Sequence, residues 1–139
     1  MDSNDIALVQ KSFHKVAPIA GQAAALFYAR LFELDPSLRR LFRGEMEAQG
    51  GKLMDMLSLA VGSLDRFEEI EPVLRQLGAR HVGYGVRDEH YGSVGAALLW
   101  TLERGLGPAF TPAVKAAWSV TFTTIATAMM DGARAAKAA

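Results

Sequence analysis

Apolar residues recur along most of the chain at three- and four-residue spacings, the period of amphipathic helices, and no stretch carries a strand pattern worth defending. Ile6, Val9, Phe13 and Val16 make the first stripe, with Asp2 and Ser3 placed to cap it. Pro18 ends or bends that helix. A second helix is expected over about 19–34, with Ala24, Tyr28, Leu31 and Phe32 on one face. Asp35-Pro36 pairs an N-cap acid with a first-position proline and opens a short helix carrying Leu38, Leu41 and Phe42. Residues 43–47 read as a loop. A long helix over about 46–64 follows, its stripe running through Leu53, Met56, Leu57, Ala60 and Leu64. Gln49 stands four residues before Leu53 on the same stripe.

The second half continues in helices. One is expected over about 71–82, stopped by Gly83 and Gly85. Asp88 is the expected cap of the next, which runs to about Arg104 through Tyr91, Val94, Leu98 and Leu102 and is broken by Gly105 and Gly107. Thr111-Pro112 starts a last helix to about Ala133, with Val114, Trp118, Phe122, Ile125 and Met129 inside, and the alanine-rich tail is expected to fray. With no linker or repeat, the 139 residues read as one all-helical domain spanning 1–139.

Composition narrows the chemistry. Fifteen basic and fifteen acidic residues balance, which removes the electrostatic case for binding nucleic acid or an anionic membrane. The absence of cysteine excludes disulfides, thiolate metal sites and a cysteine nucleophile, and suits the cytoplasm, where the protein is expected to work. The N-terminus is polar and unlike a signal peptide. No apolar run reaches the roughly 18 residues of a membrane helix.

Three residues stand out of character on apolar faces: Tyr28, Gln49 and His81. His81 ends a stripe begun by Leu74 and Leu77, where another leucine is the usual choice. An imidazole pointed into apolar space needs a partner for its nitrogens. That partner is either a nearby carbonyl, as in an ordinary core histidine, or a metal. Taken singly, Tyr28 reads as a core tyrosine with its hydroxyl at the rim, and Gln49 as a solvated residue or cap partner. Together, on three helices, they suit a pocket for a planar apolar cofactor. Its metal would take one protein ligand and leave the opposite position for a small polar molecule.

The segments Phe27-Tyr28-Ala29-Arg30-Leu31-Phe32 and Asp35-Pro36-Ser37-Leu38-Arg39-Arg40-Leu41-Phe42 resemble the second and third helices of bacterial globins. Arg80-His81-Val82-Gly83-Tyr84-Gly85-Val86, with His90-Tyr91, resembles their proximal-histidine region. The similarity runs from about Ile6 to Met130 and is to single-domain bacterial haemoglobins of the flavohaemoglobin and neuroglobin-like group. It implies an all-α globin fold, a three-over-three helical sandwich around a pocket for haem b (iron protoporphyrin IX). His81 matches the proximal iron ligand, and Phe42 the phenylalanine stacked on the haem. Tyr28 and Gln49 match the distal pair that bonds the gas ligand, and Leu53 the distal aliphatic that limits space. Leu77 and Val86 match apolar contacts on the proximal side. Lys52 and Arg80 are read either as partners of the haem propionates or as solvated surface cations. The second nitrogen of His81 is expected to donate to the Leu77 carbonyl, one turn earlier.

The chain departs from that pattern in three respects. Tyr91 matches a tyrosine that joins a glutamate in holding the proximal histidine, but Ala133 stands where the glutamate is expected, and Asp131 is the nearest acid. No reductase domain is expected to accompany the globin segment, so any electron donor is expected to be external. A distal histidine is also missing, since His14 and His90 lie on other helices. The expected function is reversible binding of dioxygen at ferrous iron for scavenging or sensing, with CO and NO as related ligands. The alternatives are nitric oxide dioxygenation with an external reductase, a peroxidase-like side activity, and a haem-free signalling globin.

Overall fold

A computed structural model describes residues 1–42 and 44–138; Arg43, at the head of the expected loop, and Ala139 lie outside it. Among the described residues six α-helices are formed: α1 (Ser3–Val16), α2 (Ala20–Leu34), α3 (Met46–Gly62), α4 (Phe67–Gly83), α5 (His90–Leu106) and α6 (Pro112–Ala138). Short 3₁₀ turns join several of them, and no strand occurs among the described residues.

The caps explain where most helices begin. The Asp2 carboxylate accepts from the Asp5 backbone N–H at 2.8 Å and the Asp5 carboxylate accepts from that of Asp2, so Asp2 is the cap and Ser3 is already helical. Pro18 sits in a 3₁₀ turn between α1 and α2. The Asp35 carboxylate accepts from the Ser37 backbone, and Pro36 opens a 3₁₀ helix over Pro36–Leu41. Thr111 Oγ1 accepts from the Val114 N–H at 3.2 Å and starts α6.

Several boundaries differ from expectation. α4 begins at Phe67, four residues before the expected start, with Pro72 inside it. Ile70 is buried with Leu74 against Ala128 of α6, and that packing holds a turn that Pro72 alone would not favour. Asp88 does not cap α5; its carboxylate lies 3.5 Å from Arg134 instead. Gly105 stays helical, and α5 ends at Gly107, whose φ of 55° is open to glycine. The C-terminal alanines continue α6 to Ala138 rather than fray.

The core forms where α1, α2, α5 and α6 meet. Val9, Phe13, Leu31, Leu102 and Trp118 share it, each large side chain contributing roughly 1.5–3 kcal/mol by leaving water. Trp118 is 1 % exposed, and its indole N–H donates to the Ser12 hydroxyl at 2.8 Å, so its one polar atom is satisfied. α4 lies along α6, and α3 crosses α2. At that second crossing Gly50 is buried, and a Cβ built on it would stand 3.0 Å from the Cβ of Ala24. Two small residues thus bring the start of α3 onto the middle of α2.

Candidate functional site

That crossing places Gln49 against Tyr28. The Tyr28 hydroxyl donates to the Gln49 backbone carbonyl at 3.3 Å. The contact is with the main chain of Gln49, where sequence reasoning had only the two side chains on apolar faces. Tyr28 is 8 % exposed, and burial pushes its pKa up to about 12, so the phenol keeps its proton at neutral pH. Its ring is fixed by aromatic neighbours. Phe27 meets it edge-on at 5.1 Å between centroids, Phe42 edge-on at 5.2 Å, and Phe32 stacks at 6.0 Å. Phe42 and Phe32 lie 5.5 Å apart between centroids, so Tyr28 and the three phenylalanines form one cluster.

Phe42 is half-buried, as are Leu41, Met46 and Leu53. Leu53 lies one turn beyond Gln49 and also lines a small apolar cavity with Phe27, Leu57 and Leu98. Lys52 is exposed and makes no ion pair among the described residues. A run of partly open apolar side chains on α3 and the preceding turn is what a slot for a flat apolar molecule needs.

His81 stands in the last turn of α4. Its Nδ1 lies 2.7 Å from the Leu77 carbonyl. A carbonyl only accepts, so Nδ1 carries the proton and Nε2 holds the free lone pair. Among the described residues Nε2 makes no hydrogen bond. Burial lowers the His81 pKa below the ordinary 6.5; the Leu77 bond opposes this, and the Arg80 charge adds to the lowering. The side chain is therefore a neutral imidazole, oriented by one nitrogen and available as a metal donor through the other. No group of three or more His, Cys, Asp or Glu converges among the described residues, so His81 is a lone donor of the kind a one-ligand cofactor metal requires.

Leu77 and Val86 are half-buried beside it. The Val86 N–H donates to the His81 carbonyl at 3.0 Å, a fold-back made by Gly85 at φ 89°. A Cβ on Gly85 would stand 3.2 Å from Leu41, so the turn after His81 also packs on the segment carrying Phe42. Sequence reasoning had Gly85 only as a stop signal. Its contact with Leu41 is a through-space fact with no sequence signature.

The other titratable groups are accounted for. Asp131 Oδ1 accepts from Arg134 at 3.0 Å and Oδ2 lies 3.9 Å from Arg75. The carboxylate faces guanidinium groups, and the buried Ala133 beside it offers nothing to His81. The Tyr91 hydroxyl is buried without a partner, and burial, then the Asp88 charge, raises its pKa. His14 is exposed on α1, and the Nδ1 of His90 accepts from the Arg87 N–H at 2.9 Å.

Comparison with known proteins gives a consistent picture. The family described as Globin matches residues 25–129. The neuroglobin of Danio rerio is 29% identical over 146 aligned residues, covering 95% of this chain and 92% of its own length. The neuroglobins of Tetraodon nigroviridis and Chaenocephalus aceratus are each 28% identical over the same span.

Proposed function

We infer that this chain, which belongs to the globin family, holds haem b through His81 and binds dioxygen reversibly. The observation that carries the reading is the His81 imidazole, fixed by Leu77 at 2.7 Å and neutral, with Nε2 free at the end of an apolar helix face. The donor set fits the group: one neutral nitrogen, an aromatic cluster around Phe42 and half-open aliphatics at Leu53, Leu77 and Val86. Ferrous haem supplies the reversible bond to the gas.

The protein supplies everything else. Phe42, Leu53, Leu77 and Val86 contact the ring and keep water out. Tyr28 turns its hydroxyl from the Gln49 carbonyl toward the gas ligand, a rotation made easy by the long 3.3 Å bond it leaves. Gln49 supports it with its side-chain amide. Each donor contributes about 1.5–3 kcal/mol when its acceptor carries charge. Lys52 and Arg80 stand at the edge as candidates for the propionates. The Tyr28–Gln49 pair supports reading the chain as akin to single-domain bacterial haemoglobins that act in the cytoplasm.

Binding without turnover is favoured over nitric oxide dioxygenation by the proximal side. A carboxylate bonded to a proximal histidine strengthens its electron donation. Here Asp131 is tied to Arg134 and Arg75, and Ala133 offers no substitute, so His81 has only a neutral carbonyl. CO and NO compete for the same position. Optical spectra of purified ferrous protein with and without oxygen test the reading. A Soret band that shifts reversibly with oxygen is expected. Protein expressed with ample haem yet lacking the band would overturn it, as would rapid nitrate formation with a supplied reductase for the preference stated.

A further inference from the structure

α4 and α6 meet backbone to backbone at two glycines. A Cβ built on Gly78 would lie 1.9 Å from the Met129 carbonyl oxygen, and one on Gly132 would lie 2.0 Å from the Arg75 carbonyl oxygen. The contact is reciprocal, each glycine seated on a carbonyl of the other helix, an arrangement suited to paired Cα–H···O contacts. Glycine is a poor helix former, so its use at both facing positions points to the close approach as its purpose. An open surface cleft of about 320 Å³ lined by Phe67, Glu71, Thr124, Thr127 and Asp131 runs beside the start of α4. There α4 rests on α6 through side chains, Ile70 and Leu74 on Ala128, and only at the glycine pair do the two backbones meet.

His81 lies three residues beyond Gly78, about 60° around the helix at 100° per residue. Its imidazole is bonded to the Leu77 carbonyl, next to Gly78, so ring and helix move as one body. We propose that Gly78 and Gly132 are positioning residues whose backbone contact sets how far α4 advances His81 toward the haem iron. The proposal rests on reading His81 as the iron ligand. A methyl at either glycine pushes α4 away from α6, because the atoms it meets are main chain and cannot swing aside. The displacement moves the imidazole off the seat this contact sets, and the iron–histidine bond weakens.

The test uses holoprotein of Gly132→Ala and Gly78→Ala. Gly21→Ala is the control, since nothing lies within 4 Å of a Cβ there. The readout is the iron–histidine stretching band in the resonance Raman spectrum of ferrous protein, with apo-protein melting recorded alongside. Both crossing variants should shift the band to lower frequency and release oxygen several-fold faster, while the control keeps the parental values. Should neither crossing variant fold, Ala128→Val supplies a milder wedge against Ile70 and Leu74 and should shift the band the same way. A parental band left unmoved in a folded crossing variant, or in Ala128→Val, overturns the proposal alone. A parental protein with no band overturns the haem reading as well.

Discussion

The Tyr28 hydroxyl is bonded to the backbone carbonyl of Gln49, 3.3 Å away, while its ring is held by Phe27, Phe32 and Phe42. A rigid ring whose hydroxyl makes only one long hydrogen bond is a donor cheap to redirect. Tyr28→Phe should therefore raise the oxygen dissociation rate by at least about tenfold, the factor that 1.4 kcal/mol represents. Carbon monoxide, less polar when bound, should change much less. Folding stability should fall little, because only one long hydrogen bond is lost. Stopped-flow release compared between Tyr28→Phe and Gln49→Ala ranks the two donors, and an unchanged rate in Tyr28→Phe would make Tyr28 a core residue only.

The bond to Gln49 depends on how closely α3 approaches α2. The Cβ of Ala24 leaves 3.0 Å for any Cβ added at Gly50. Gly50→Val should cost about 1–3 kcal/mol of stability through overpacking. It should also draw the Gln49 carbonyl off Tyr28 and speed oxygen release. Urea unfolding of the apo-protein measures the first effect. A variant as stable as the parent would show that the crossing has slack.

Much of this was legible in the chain. The capping box at Asp2, the Asp35-Pro36 start and the Thr111 cap are local, and local chemistry decides them. The bond from His81 to the Leu77 carbonyl is also local, one turn along a single helix. What escaped is what depends on a neighbour. The helix is expected from about Glu71, and only the burial of Ile70 against α6 shows why α4 begins earlier, with Pro72 inside it. Asp88 reads as a cap, but Arg134, 46 residues away, takes its carboxylate. Tyr28 and Gln49 each stood out, yet that the phenol meets the main chain of Gln49 follows from Gly50 beside Ala24. Glycines in helices signal a close approach without saying to what.

His81 makes stability depend on pH with a definite sign. Its folded pKa lies below the unfolded 6.5, chiefly through burial. Above 6.5 both states are neutral and the histidine contributes nothing against folding. As pH falls below 6.5 the unfolded chain takes up the proton first, so stability is lost until the folded pKa is passed. Apo-protein should melt progressively lower on acidification through that window, and His81→Leu should flatten this part of the profile. Holo-protein should lose haem only below that window, because iron on Nε2 competes with the proton. A His81→Leu profile parallel to the parent would assign the acid sensitivity elsewhere.

The resting iron should carry one histidine. Gln49 on α3 is the residue read as distal, and an amide is a poor ligand for ferrous haem. The remaining histidines are committed or remote in the chain: His14 is exposed on α1, and His90 opens α5 with Nδ1 accepting from Arg87. For His90 to reach the iron, the α5 N-terminus would have to break that bond and unwind from a buried position. Ferrous protein without oxygen should therefore give the broad spectrum of a five-coordinate high-spin haem. Gln49→His is the informative counterpart, since it restores an imidazole on the distal helix face and should convert the spectrum to a six-coordinate low-spin form. Oxygen association should then slow by orders of magnitude, because the internal ligand must leave first. A low-spin ferrous spectrum in the unmodified protein would refute the single-histidine site.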